Sequence, residues 1–309
     1  LAELLISHGD DAPSGENLEY DPAFISLELA AQPGEERQVG DAIIAAEEPD
    51  HSDVITHAVD VLGRSHDLRA AVFLSYSLLR TQGFPGFAAA TGYIRGVLEQ
   101  YWDTCHPELD ADDDNDPTMR VNAVKSLSDM KTTVAGVRLA PLTESRAFGR
   151  FSLRDMMMLK GEIDVPEGAD NLPTQEQISA AFQDTPDEKL QEILVAVTKA
   201  SDDIKAIGAV FDDKVPGEGP NLELLEVALR KTLVALRDHG VGASAESAED
   251  GGDDAGDDGA AAADGGTDAA ASRGGAGRAA GGGGAPGAIN SQQDVRNTID
   301  RLINYYRRA

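Results

Sequence analysis

Basic residues are scarce in this chain and cysteine is almost missing. Twenty-six lysines and arginines stand against 55 aspartates and glutamates in 309 residues, a formal charge of −29. A field of that sign repels phosphate backbones and anionic lipid headgroups, which argues against nucleic-acid or membrane-surface binding. With Cys105 as the single cysteine, no intramolecular disulfide can form, and a cytoplasmic location is expected. No apolar run is long enough to cross a bilayer and no signal-peptide core is visible, so direct membrane insertion is not expected. Aromatic residues are sparse at 5%, while the hydrophobic share of 41% is ordinary for a globular protein. The length suffices for two compact domains or one large one.

Period-two alternation is also missing, apart from the chance of one strand near Ile43 in a Gly-, Pro- and acid-rich loop at 33–50. What the sequence does contain is helical. Asp21-Pro22 supplies a cap and a first-turn proline, with Phe24, Leu27 and Ala31 on one face behind it. Val54, Ile55, Ala58, Val59 and Leu62 repeat at helical spacing. Leu68 to Leu79 is apolar on more than one side, which predicts a central buried helix. Gly83, Pro85 and Gly86 break it. Phe87, Ala90, Ile94, Val97, Leu98 and Tyr101 form the next stripe. Ser152 caps a short helix from Arg154 to Leu159, and a linker is expected around 166–173.

Thr174-x-x-Gln177 reads as a capping box, and Thr185-Pro186-Asp187-Glu188 as a stronger one. The apolar stripes behind them predict a helical hairpin, with a further helix at 174–184. From 241 to 288 the chain is almost entirely Gly, Ala, Asp and Ser. Such a composition buries too little apolar surface to offset its ordering entropy and is read as a disordered tether with a reach of roughly 40 Å. Ser291 and Asp294 then open a last amphipathic helix carrying Val295, Ile299, Leu302, Ile303 and Tyr306, the candidate oligomer or partner face. The expected fold is all-α: a helical module at 1–165, a second at 174–240, the tether at 241–288 and the terminal helix at 289–309.

The candidate chemistry concentrates in residues 101–124. Asp110, Asp112 and Asp114 match the first, third and fifth positions of an EF-hand loop. Asn115 then stands where glycine is needed and Val121 where the bidentate glutamate is needed. The competing reading is a solvated helix–helix turn with Asp116 as N-cap and Pro117 as first helical residue, and it accounts for more of the residues. Cys105-His106 suggests a nucleophile and a base, but adjacent side chains rarely face each other, and a cysteine beside aromatics is more often a small core residue. Six histidines lack zinc-ligand spacing, and most of them are expected at the surface or at helix caps. There is no Gly-x-Ser-x-Gly elbow and no P-loop. No catalytic residue, metal site or cofactor is predicted.

The same stretch resembles a known family. Tyr101-Trp102-Asp103-Thr104-Cys105-His106-Pro107-Glu108-Leu109-Asp110, followed by Asn115-Asp116-Pro117-Thr118-Met119-Arg120, is similar to the signature of the ImpA-related N-terminal domain of TssA-type proteins of the bacterial type VI secretion system. Asp11 to Pro22 resembles the family's opening motif. Gly40-Asp41, Ala46 to Asp50 and Ser65-His66-Asp67-Leu68-Arg69 resemble its middle ones. Ile303 to Arg308 is similar to the helix leading into its last domain. A Glu-Pro-Ser-Ser-Pro step follows in the family, so a ring-forming C-terminal domain is expected to be missing from this chain.

The resemblance implies a non-enzymatic assembly component that contacts baseplate, inner-tube and sheath proteins, and homo-oligomerises through that further domain. The alternatives are a sheath-capping or membrane-anchoring relative and, from the Asp110–Asp116 loop, a calcium-binding protein. The motif residues Tyr101, Trp102, His106, Pro107, Asp110, Asp116, Pro117 and Arg120 are assigned structural roles. Trp102 is a packing anchor, Asp116 a helix cap, and Arg120 the ion-pair partner of a nearby carboxylate.

Overall fold

Three aspartates set the start of three helices. Asp21, Asp50 and Asp67 each stand in an extended conformation just before an apolar run, and each carboxylate accepts a backbone N–H two residues ahead, at 2.9, 2.9 and 2.8 Å. The helices they open are α1 (Pro22–Ala30), α2 (His51–Leu62) and α3 (Leu68–Gln82). The computed structural model describes residues 1–34, 37–39, 42–44, 46–165 and 172–242. Of the tether expected at 241–288, Val241 is buried instead of disordered, and residues 243–288, like the expected terminal helix at 289–309 with Val295, Ile299, Leu302, Ile303 and Tyr306, lie outside the described residues.

The all-helical expectation holds, with one small addition. Within the 33–50 stretch read as a loop, Arg37–Val39 (β1) and Ala42–Ile44 (β2) pair antiparallel, Gln38 opposite Ile43. Two three-residue strands are too short for an alternation pattern to register in sequence. The remaining helices are α4 (Phe84–Tyr101), α5 (Thr118–Lys125), α6 (Thr133–Leu139), α7 (Leu153–Leu159), α8 (Gln175–Asp184), α9 (Asp187–Lys214) and α10 (Glu223–Asp238). Among the described residues no helix is long and apolar enough to cross a membrane.

Helix α3 is buried on nearly every side, from Leu68 to Leu79, as its apolar character predicts. Gly83 ends it at φ +68°, a conformation that glycine adopts without the steric cost of a Cβ. Pro85 and Gly86 do not extend the break: they form the first turn of α4. A Cβ on Gly86 would sit 2.9 Å from the Leu78 carbonyl oxygen, so the bare glycine lets α4 fold back tightly on α3.

The helices of 175–238 share a core with those that precede them. Helix α9 runs along α4, and α10 packs on α6 and α9. Phe211, Ile204 and Ile207 of α9 are fully buried with Ile94, Val97 and Leu98 of α4 in one continuous apolar cluster. Each such side chain contributes about 1.5–3 kcal/mol by leaving water. The segment before α8 is tied on by polar contacts: Ser145 Oγ donates to Asp184 Oδ2 at 2.7 Å, and Leu225 N donates to Ser128 Oγ at 3.3 Å.

Besides Asp21, two more of the expected caps form. Thr174 with Gln177 and Ser152 with Asp155 each make both bonds of a capping box. Thr185 does not cap α9. Its hydroxyl donates to the Ala181 carbonyl at 2.7 Å and accepts from Glu144 N at 2.9 Å. Only Thr185 and Pro186 separate α8 from α9, so the hydroxyl closes the end of the first helix instead of the start of the second.

Candidate functional site at the junction of the signature segments

Three short extended fragments meet beneath the ends of α2 and α4 and at the start of α3. His106 N donates to His66 O at 2.9 Å, and Leu68 N donates to His106 O at 2.8 Å, which pairs residues 105–107 with 66–68 in parallel. On the other edge His66 N donates to Ser14 O at 2.8 Å, and Gly15 pairs with Ser65. The three motifs separated in sequence are therefore neighbours in space. Gly15 lies at φ +74°, and a Cβ there would stand 2.0 Å from the Arg64 carbonyl oxygen, a position no other residue can occupy without displacing the backbone.

Side chains knit the fragments together. The hydroxyls of Ser14 and Thr104 share a 2.7 Å hydrogen bond, and His106 Nε2 lies 3.3 Å from Gly15 O. Asp67 caps α3 and also pairs with Arg69 at 2.8 Å. Arg69 in turn reaches Glu19 at 3.4 Å and lies 4.5 Å above the Phe24 ring. Tyr101 donates its hydroxyl to Leu5 O at 3.1 Å, which closes the N-terminal turn over the junction.

Arg120 departs from its sequence-based role. Its side chain is fully buried and, among the described residues, has no carboxylate within ion-pair distance. The guanidinium instead donates to backbone carbonyls: Nε to Pro107 at 3.0 Å, Nη2 to Cys105 at 2.7 Å and Pro107 at 2.9 Å, and Nη1 to Trp102. It also lies 4.9 Å from the Trp102 ring centroid. The turn after α4 leaves these carbonyls pointing inward, and a planar fork of five donors can satisfy them where a carboxylate could not. Burial pulls its pKa below the usual arginine range. Trp102 packs edge-on against Phe211 of α9 at 5.1 Å, so the junction is continuous with the α4–α9 seam.

The histidines also depart from expectation. His66 and His106 are buried rather than at the surface. His66 Nδ1 meets the Tyr93 hydroxyl at 3.1 Å, and its ring lies 4.3 Å from Tyr101 and 4.6 Å from His8. His66 Nε2, His8 Nε2 and His106 Nδ1 are buried without a hydrogen-bond partner. Burial, reinforced by His8, lowers the His66 pKa to about 4, so the ring is neutral at physiological pH. Histidine residues carry no apolar periodicity of their own, and only the adjacency of Ser65-His66-Asp67 to a buried helix start could have signalled this burial.

Cys105 is a buried core residue. Its Sγ faces the Trp102 carbonyl at 3.9 Å, and burial pushes its pKa up to about 11, so it is not a thiolate at neutral pH. The acidic stretch is a turn built on its own backbone. Asp110 N donates to Asp116 O at 3.1 Å, and Asp114 and Asn115 take left-handed conformations at φ +52° and +61°. Asp116 Oδ1 accepts Thr118 N at 2.7 Å, and the regular helix begins one residue later than the Asp-Pro step suggests. Pro117 is buried beneath it. Among the described residues no three His, Cys, Asp or Glu side chains are placed to hold a metal ion.

Comparison with known proteins agrees with this geometry. The family model described as ImpA, N-terminal, type VI secretion system, matches residues 8–129, which hold all of the junction. Over 304 residues the chain is 36% identical to the type VI secretion system component TssA1 of Pseudomonas aeruginosa, spanning 98% of this chain and 84% of that protein. Among solved structures, the N-terminal domain including the conserved ImpA_N region of the TssA component from Burkholderia cenocepacia superposes with a TM-score of 0.61. It is 24% identical and the match covers 77% of this chain and 92% of that one, a likeness of fold.

Proposed function

This chain belongs to the TssA family of type VI secretion system components, and from that premise we propose that it is an assembly protein whose helical unit docks baseplate, inner-tube and sheath proteins. The observation that carries the proposal is the 36% identity to TssA1 maintained through 98% of the chain. The physical chemistry is compatible with a docking role. The signature residues are spent on fixing the backbone at a corner, through Arg120 and the Gly15–Ser65–His106 junction, and this holds the helices in one arrangement. A rigid unit loses little conformational entropy when a partner binds its outer faces, so modest contacts suffice for recognition. If copies of the chain are brought together in an oligomer, a repeating partner is held at raised effective concentration.

The test is direct binding. The purified chain is titrated by interferometry against purified baseplate, inner-tube and sheath proteins of the same apparatus, and sheath formation is followed in cells lacking the chain. Saturable binding to at least one of the three, together with loss of sheath formation, is the expected result. No binding to any of them, with sheaths forming normally, overturns the proposal.

A further inference from the structure

Residues 1–9 cross α4 as a strap. Their one regular piece is a single 3-10 turn, Ala2–Leu5, and none of the nine is fully buried. Leu1, Leu4 and Leu5 are half-buried against the core. A Cβ on Gly96 of α4 would stand 2.5 Å from Leu5 Cδ2, so the bare glycine opens a notch for that leucine. The Tyr101 hydroxyl donates to the Leu5 carbonyl at 3.1 Å, and His8 N donates to Pro13 O at 2.9 Å.

The far end of the strap is fastened by an imidazole pair. The His8 ring lies 4.6 Å from that of His66, which is fully buried. Both Nε2 atoms are buried without a hydrogen-bond partner, and His66 Nδ1 is spent on the Tyr93 hydroxyl. The groups around His66 offer a proton no counter-charge. The strap contributes His8 and the Ile6 carbonyl, and the signature segment contributes His106. Helix α4 contributes the phenols of Tyr93 and Tyr101, with the Cys105 thiol close to Tyr93. Asp67, at the start of α3, is spent on its cap and on Arg69. Glu108 approaches His106, at 3.8 Å, and Asp10 and Asp11, beyond His8 on the chain, are exposed. Burial and then the neighbouring His8 keep His66 from charging, and they outweigh the Ile6 carbonyl, which favours the charged ring.

We propose that His8 and His66 form an acid-sensitive latch on this strap, which mild acid opens, so that residues 1–9 leave α4 while the helices beneath stay folded. Closed, the strap supplies the second imidazole and part of the cover over the His66 ring. Open, it takes His8 away and lets water in. Proton uptake and opening therefore favour each other. The strap is fully latched above the ordinary histidine pKa of about 6.5 and loosens as pH falls below it. With one proton linked to opening, the open fraction rises about tenfold between pH 7.5 and 5.0. An element without a fully buried side chain detaches at a smaller cost than the core helices, which is why the strap opens first. The face uncovered at Gly96 and Tyr101 then offers a notch for an apolar side chain and a hydroxyl for a backbone carbonyl, the two groups that Leu5 supplies when the strap is closed.

The experiment uses the full chain and a glutamyl endopeptidase that is active at both pH values. Cleavage after Glu3 reports the open strap, and cleavage after Glu192 in α9 reports unfolding of the helices. Each rate is followed by mass spectrometry and divided by the rate on a free peptide of residues 1–12 at the same pH, which removes the enzyme's own pH dependence. The relative rate at Glu3 is expected to rise about tenfold from pH 7.5 to 5.0, with α9 uncut. His66→Phe abolishes the rise. His8→Phe keeps a ring over His66 but removes the second base, and at least halves the rise. Circular dichroism checks that each variant is folded, and His8→Phe, altered at a partly exposed site, decides the matter if His66→Phe is not. A parent rate at Glu3 that does not change with pH overturns the proposal. So does a rise matched by equal cleavage at Glu192, because the whole unit then unfolds together. A full rise retained in either folded variant overturns it as well.

Discussion

Arg120 and Asp203 are both charges buried in the same helical unit, and they are held by opposite means. Arg120 is surrounded by backbone: its donors end on the carbonyls of Trp102, Cys105 and Pro107, which cannot move without moving the chain. Asp203, in the seam between α4 and α9, is surrounded by side chains. It accepts from Thr91 Oγ1 at 3.2 Å, Lys199 Nζ at 2.6 Å and Arg95 Nη1 at 3.5 Å. Lys199 and Arg95 remain 51% and 41% exposed and keep contact with water. A charge met by fixed dipoles specifies one geometry, while a charge met by half-exposed side chains tolerates adjustment. The junction is therefore the rigid end of the unit, and the seam its adaptable side.

The contrast is broken most forcefully at Arg120. Arg120→Met keeps the length and apolar stem of the side chain and removes every donor. Three buried carbonyls then lose their partners, each at a cost of about 1–3 kcal/mol, and a total loss of about 4 kcal/mol is expected because they share one donor group. Arg120→Lys recovers little, since one ammonium cannot span the three acceptors in plane. Urea midpoints measure this, and a loss below ~1 kcal/mol for Arg120→Met would show that the turn stands without it.

Acid sharpens the contrast next, because imidazoles are gathered at the junction and not at the seam. The folded state holds His66 at about 4, against an ordinary value of 6.5. Between those values the unfolded chain binds a proton that the folded chain refuses. Stability is therefore fully present above pH 6.5 and is lost as pH falls from 6.5 toward 4, by an amount on the order of 3 kcal/mol. His8 and His51, both lowered by burial, act in the same direction. Carboxylates such as Asp21, held down to about 2 by Arg64, lose their contribution only in stronger acid. Urea titrations at pH 7.5 and 4.5 isolate the histidine window. A flat profile across it would mean that the orphaned imidazole nitrogens are solvated.

These two regions were not equally legible in the sequence. Helix starts at Asp21, Ser152 and Thr174 follow from local cap chemistry, which needs nothing beyond four neighbouring residues. The burial of α3 follows from its apolar run, and the acidic turn from its Asp-Pro step. Thr185 misled because its hydroxyl had two helices to serve, and the choice depends on where Glu144 comes to lie. Arg120 misled for a related reason. An arginine near many aspartates predicts an ion pair, but the acceptors that hold it are carbonyls, which every residue carries and no side-chain pattern reveals. The junction at Gly15, Ser65 and His106 needs pairings across fifty and ninety positions, visible in sequence only as separate family motifs. On α1 the spacing of Phe24, Leu27 and Ala31 reveals one apolar face, whereas the exposure of Ile25 and Leu29 leaves no mark in an almost wholly apolar stretch.

Asp203 gives the smallest effect and the closest test of the difference between the two sites. It stands on the buried face of α9, with Ala196, Ala200 and Ile207, and with Ser201 it is one of two polar residues among the helix's buried positions. Asp203→Ala removes the acceptor from Thr91, Lys199 and Arg95. The two cations lie where water reaches them, so they rehydrate instead of remaining buried and unpaired. What is lost is one of two acceptors of a buried hydroxyl, which keeps the Ala88 carbonyl at 3.3 Å, and a short charge-assisted hydrogen bond, about 2 kcal/mol together. Asp203→Asn retains an acceptor for Thr91 and should lose about half of that. In a double-mutant cycle with Lys199→Ala, the coupling energy should fall near ~1 kcal/mol, because one partner is half in solvent. A cost for Asp203→Ala equal to that of Arg120→Met would show that the seam is as rigidly specified as the junction, and that how a buried charge is surrounded does not decide what its removal costs.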